Sequence, residues 1–292
     1  MSMSDTTYSV TSAVASVEQH QRRREGEPWW KVVLPPVAMF AAVIGIWYFV
    51  AYGMMNERRR NVALPPPHVI VTDYLLTWQP KRGIRPILEA MLITGRVALI
   101  GLVISVVLGI SVAIIMNLSK SAERAVFPYA VLIQTLPILA LVPIIQLWFG
   151  FALTSRTLVC VLIAIFAIIT NTLFGLQSAD RMHHDLFTLN RTGRLTRLLK
   201  MELPGAMPAI FTGLRIAAGG SVIGAIVGDF FFRKGEIGIG RLIDNYSKDL
   251  RPEEAFLAAG VSSLFGIIIF IFFGWLSNRV LRNWHDSARS RT

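Results

Sequence analysis

His183 and His184, Cys160, and the glycines at 235, 238 and 240 are the residues whose types could hold a metal, attack a substrate or cradle a phosphate. Their spacing supports none of these. Adjacent histidines on a helix point about 100° apart and lack the i, i+4 spacing of a shared metal site, so they read as interfacial histidines. A single cysteine inside an apolar block excludes an intrachain disulfide and a multi-cysteine metal centre, and reads as a small core residue. The three glycines lack the spacing and the preceding strand of a dinucleotide fingerprint and mark a turn. No stretch reads G-x-x-x-x-G-K-S/T, so the chain does not hydrolyse a nucleotide alone. The sequence thus predicts no metal site, no cofactor and no catalytic residue.

Two other groups stand out for recognition rather than reaction. Gln134, Thr135 and Gln146 lie among apolar residues in LIQTLPILALVPIIQLWFG, and Thr170 and Asn171 lie in the next apolar run. Uncharged polar residues placed this way either line a solute path or bond one helix to another, and both readings stand. The other group is DLFTLNRTGRLTRLLKMELPGAMP, from Asp185 to Pro208, the longest basic interruption in the second half of the chain.

The elements that must position these residues are membrane helices. Of 292 residues 53% are hydrophobic and 16% charged, with mean hydropathy +0.54, where a soluble domain carries about a quarter charged. Net charge is +11, yet the basic residues sit between apolar blocks rather than on one polar face, which argues against nucleic acid as a partner. Six spans of roughly bilayer length are expected, at about 32–55, 87–118, 125–150, 157–179, 205–228 and 255–278. Residues 1–28 form a loose cytoplasmic tail, 29–284 the membrane domain and 285–292 a second tail. The first span has 24 uncharged residues from Val32 to Met55, too long for a signal-peptide core. Glu57 to Pro86 is a Pro-rich external loop with one short helix near 69–78.

Within the spans, Gly101 and Gly109, with Ser105 and Ala113 between and beyond them, recur every four residues, as do Gly220, Gly224 and Gly228. Such stripes let another backbone approach, either within the subunit or across a subunit interface. Pro137 and Pro143 predict a broken third span, because the carbonyls they free must face protein or water rather than lipid. No acidic residue lies deep in a span, which counts against ion-coupled transport. With both ends inside, 15 Lys and Arg are cytoplasmic and 12 external, a weak bias that leaves orientation to the Asp185–Pro208 stretch.

That stretch reads as two short helices hinged at Arg191 to Gly193. The first is capped near Asp185. The second puts Leu195, Leu198 and Leu199 on one face and Arg194, Arg197 and Lys200 on the other, and ends at Leu203 and Pro204. Helix, glycine-bearing turn, helix and Leu-Pro before a spanning helix resembles the cytoplasmic coupling loop of permease subunits of binding-protein-dependent ABC importers. Aligned on Leu203 and Pro204, this chain has Asp185, Leu186 and Phe187 where the family has Glu-Ala-Ala, and Arg191 where it has Gly; Gly193 falls two residues later. ELPGAMPAIFTGLRIA matches well, and LIQTLPILALVPIIQLWFG and GDFFFRKGEIGIG resemble the nitrate, sulfonate, taurine and bicarbonate group, with Asp229 where that group usually has Glu. NRTGRLTRLLKMELP is similar to the branch that carries pyrimidine or riboflavin-type precursors.

The resemblance implies a type I importer fold, all-α with about six spans in the inner membrane. It also implies two cytoplasmic ATPase subunits, an external solute-binding protein and a second, identical permease subunit as partners. Asp185, Arg191, Gly193, Arg194, Arg197, Leu203 and Pro204 would then contact or couple to the ATPase. The competing readings are a scaffold or anchor whose basic face binds anionic lipid, and an ion-coupled carrier.

Overall fold

The structure is a computed structural model describing residues 29–80, 82–150, 153–232 and 234–282. Both tails expected at 1–28 and 285–292 lie outside these residues. The chain divides into two compact units, one up to Pro67 and one from His68.

The first unit is built on α1 (Trp29–Phe49), which runs into a π-helical turn at Val50–Met54. Its 22-residue apolar stretch Val33–Met54 is long enough to cross a membrane. A helix that the Pro-rich reading did not anticipate follows, α2 (Glu57–Ala63). It is tied back to α1 by Arg60, which stacks on the Tyr52 ring 4.4 Å from its centroid. Trp47 Nε1 donates to Pro65 O at 3.2 Å, so the triproline segment is also pinned to the helix.

The short helix expected near 69–78 is one α-helical turn, Pro67–Val69, which opens the second unit from its second residue and continues as a π turn over Ile70–Leu75. A two-residue hairpin follows, β1 (Trp78–Gln79) antiparallel to β2 (Arg82–Gly83). The remaining elements are helical: α3 (Ile84–Leu118), α4 (Lys120–Thr135), α5 (Ile138–Phe149), α6 (Leu153–Gln177), α7 (Arg181–Leu189), α8 (Arg194–Phe231), α9 (Ile239–Lys248) and α10 (Pro252–Leu281). With α1, five helices among the described residues are long and apolar enough to span, and α4 with α5, bent by 101°, passes the same test as a pair, as a broken span or a re-entrant loop. The break falls at Leu136, held extended (φ −65°, ψ 131°), because the ring of Pro137 disfavours the helical conformation of the residue before it.

Helix α6 is the hub, packed against both α3 and α8, with half of its most apolar window buried against 17% for α10. Its two neighbours approach through the small-residue stripes. A Cβ at Gly109 of α3 would lie 2.7 Å from Ile168 Cγ2, and one at Gly101 would overlap Cys160 Cβ. On α8, a Cβ at Gly224 would lie 2.7 Å from Cys160 Cα, while Gly220 and Gly228 face Ile163 and Arg156. Cys160, fully buried, is thus gripped from both sides, and these stripes pack within the chain. Gly224→Val is therefore expected to overpack the hub by about 1–3 kcal/mol. Thermal unfolding in detergent, with Gly205→Val at an uncrowded position as the control, reads the difference.

Candidate functional site

In the segment from Asp180 to Pro208 two helices meet in a polar, exposed turn. Asp180, not Asp185, caps α7: its carboxylate accepts from the Met182 N–H at 3.2 Å. Asp185 stands one turn further on, exposed, so its expected capping role is corrected. The chain reverses at Arg191, whose φ of 48° is left-handed. Thr192 fixes that turn by donating from both N (3.1 Å) and Oγ1 (2.7 Å) to Phe187 O. Gly193 begins α8 with ordinary extended dihedrals and open space around it, so it is the position of Arg191, rather than Gly193, that favours glycine. Arg191→Gly should accordingly stabilise the turn by about 1 kcal/mol, visible as slower hydrogen exchange at Thr192 and Gly193.

Leu203 and Pro204 do not end a helix. The chain is helical from Arg194 to Phe231, 38 residues, passing through a π-helical turn at Leu198–Glu202. Proline removes one backbone donor and pushes against the carbonyl four residues before it; a wider turn just ahead absorbs both effects without a break. The predicted division of faces is also corrected. Leu198 is buried beside Leu176 and Ala206, while Leu195 and Leu199 are exposed at 66% and 60%. Arg194, still exposed, folds back on the α3–α4 corner, its Nη2 donating to Asn117 O at 3.1 Å, and Arg197 Nη2 donates to Thr188 Oγ1 at 3.0 Å across the hinge. Met182, Leu186 and Leu189 of α7 are exposed as well, so both arms of the turn present apolar side chains outward.

Behind the turn lies an open cavity of about 750 Å³. It is bounded by Asn117 and Lys120 at the α3–α4 corner, Gln177 at the end of α6, His184 of α7, and Thr192, Arg194 and Arg197. Glu202, also on its wall, accepts from Asn117 Nδ2 at 2.6 Å.

The candidate path residues are placed differently. Thr135, Thr170 and Asn171 donate to carbonyls of their own helices, Leu132 O, Phe166 O and Ala167 O. Gln146 Nε2 reaches across to Phe231 O at 3.1 Å, joining the end of α5 to the end of α8. Gln134 is exposed beside the Pro137 break.

A polar cluster that sequence reasoning did not assemble lies at the other end of α8. Arg156 and Asp229 are 3% and 0% exposed and form an ion pair, Nη1 to Oδ1, at 3.1 Å. The guanidinium also donates to the carbonyls of Phe232, Lys234 and Glu236 at 2.9–3.0 Å. Thr94, fully buried, donates to Asp229 Oδ2 and accepts from Ile239 N at 2.8 Å. Gly238 lies against the Asp229 carboxylate and Gly240 against Ile226 O, both too close for a Cβ, which gives GEIGIG its physical reason. The signal was present in the sequence: a lone arginine in a long uncharged stretch and a lone aspartate ending the next span need each other once buried.

Apolar helices around a central one, with a helix–turn–helix projecting from one end, define a multi-pass membrane permease fold. The family of binding-protein-dependent transport system inner membrane components matches residues 105–282, more than half of the chain, and the chain belongs to that family. It is 36% identical over 62% of its length to the formylaminopyrimidine transport permease ThiX of Halalkalibacterium halodurans, covering 72% of that protein. It is 28% identical to a probable ABC transporter permease of Haemophilus influenzae, covering 85% of this chain and 97% of that one. A putative aliphatic sulfonates transport permease, SsuC of Bacillus subtilis, is 27% identical over 93% of this chain and 90% of its own. A crystal structure of an amino acid ABC transporter with histidines shares the fold at TM-score 0.53 and 15% identity, over 66% of this chain and 93% of that one.

Proposed function

We propose that the chain is the translocating subunit of an ATP-driven importer. It takes a small solute from an external binding protein and is moved by a separate cytoplasmic ATPase that seats the α7–α8 turn. The observation that carries this reading is the unbroken helix from Arg194 to Phe231, rigidly joined to the exposed turn. At 1.5 Å per residue it is roughly 57 Å long, so a displacement of the turn reaches the far side of a bilayer without a relay. Coupling then requires only that the two states of the ATPase hold the turn differently. The working unit is a pair of identical chains, which would enclose a path between them near Gln134, Thr135 and Gln146. Likeness to the formylaminopyrimidine permease, and to a riboflavin transport permease at 32% identity over 56% of this chain, supports a heterocyclic vitamin precursor as the solute.

The test is reconstitution of the chain with its ATPase and binding protein in vesicles. ATP-dependent uptake of a labelled pyrimidine precursor is expected. Uptake that persists without ATP would favour an ion-coupled carrier, and failure of any ATPase to co-purify from detergent would favour a lipid-binding anchor.

A further inference from the structure

Among the described residues, the cavity behind the α7–α8 turn is lined by more positive than negative side chains: Lys120, Arg194 and Arg197 against Glu202. Arg194 and Arg197 hydrogen-bond only to neutral acceptors, Asn117 O and Thr188 Oγ1, and neither has a carboxylate within 4 Å among the described residues. Glu202 accepts from the neutral Asn117 amide and keeps its negative charge on the same wall, which offsets one of the two guanidiniums, and Lys120 lies 3.3 Å from Glu123 in an exposed pair of the kind that contributes little. Arg197 Nε is shielded from solvent without an acceptor, an uncommon state for a buried donor. The volume, about 750 Å³, lies in the ordinary range for small-ligand sites. Two guanidiniums with free donors on one wall and a flexible ammonium on another suit a tetrahedral oxyanion, since the planar fork of arginine matches two phosphate oxygens at once.

We infer that this cavity binds a phosphate-bearing anion, held by Arg194 and Arg197 with Lys120 closing over it. The phosphate comes either from a soluble monoester or from the headgroup of an anionic lipid. Because the walls belong to the α3–α4 corner, the end of α6, α7 and α8, an occupant bridges the turn to the body of the protein. The inference goes beyond the transport reading and does not rest on it, since the charge and the cavity belong to this chain alone.

Inorganic phosphate titrated against the full-length chain in phosphatidylcholine nanodiscs, without ATPase, tests it. Saturable binding of one phosphate per chain is expected, weakened at least about tenfold by Arg197→Gln. As Arg197 also braces Thr188, Lys120→Gln serves as a second variant. Its side chain is 78% exposed, so the fold does not depend on it, and a several-fold loss is expected. No saturable binding up to roughly 10 mM, or affinity unchanged in both variants, would overturn the assignment. Repeating the titration in phosphatidylglycerol nanodiscs identifies the source: displacement of phosphate points to the lipid headgroup, unaltered binding to a soluble anion. ATPase stimulation is measured separately, so failure here leaves the transport reading standing.

Discussion

Arg156→Met is expected to destabilise the protein by about 3–5 kcal/mol, because it leaves the Asp229 carboxylate buried with no countercharge. The same change strips the carbonyls of Phe232, Lys234 and Glu236 of the guanidinium donor that gathers them. Adding Asp229→Leu removes the stranded charge, so the double variant should regain a large part of the loss while the loop after α8 stays loose. Thermal unfolding in detergent across the four-member cycle measures the coupling. Strictly additive effects would mean that the two residues act independently and that the pair is not what closes this end of α8.

Leu186→Glu with Leu195→Glu should lower solute-stimulated ATPase activity at least tenfold, with the membrane domain intact. Both side chains are exposed, at 51% and 66%, so charge there costs the isolated chain little. In the proposed docking, an ATPase groove that buries them loses about 1.5–3 kcal/mol per leucine, which exceeds the 1.4 kcal/mol of a tenfold effect. The basic face expected from the sequence would have made Arg191→Glu with Arg194→Glu the stronger disruption. With Arg194 bonded to Asn117 O, that pair should have the smaller effect of the two. Stimulation unchanged in the leucine variant would move docking away from this turn.

The spans were legible because hydrocarbon thickness imposes length and lipid excludes charge, and the break at Pro137 was legible because the imide ring acts locally. Periodicity misjudged the start of α8 for a physical reason. It treats a helix as isolated, whereas Leu198 turns inward to Leu176 and Ala206 and carries Leu195 and Leu199 round to solvent. Leu-Pro read as a stop since proline usually is one; the π turn that accommodates Pro204 is a matter of hydrogen-bond register, which composition does not encode. Arg156 and Asp229 are 73 residues apart, and only the packing of α6 on α8 brings them together. Their pairing could be inferred from the cost of burying either alone, but not from any local pattern.

The right-angle bend between α4 and α5 bears on the bilayer itself. Helix α5 has 12 residues, roughly 18 Å, little more than half the hydrocarbon thickness. Set along the membrane normal from one surface, it reaches about the midplane, and the 101° bend then turns α4 aside at that depth. In that setting the membrane wall carries a notch, with Gln134 and Thr135 at its rim and Gln146, which donates to Phe231 O, at its far edge. Lipid cannot fill a notch whose lip is polar, so a second protein surface or a thread of water must occupy it.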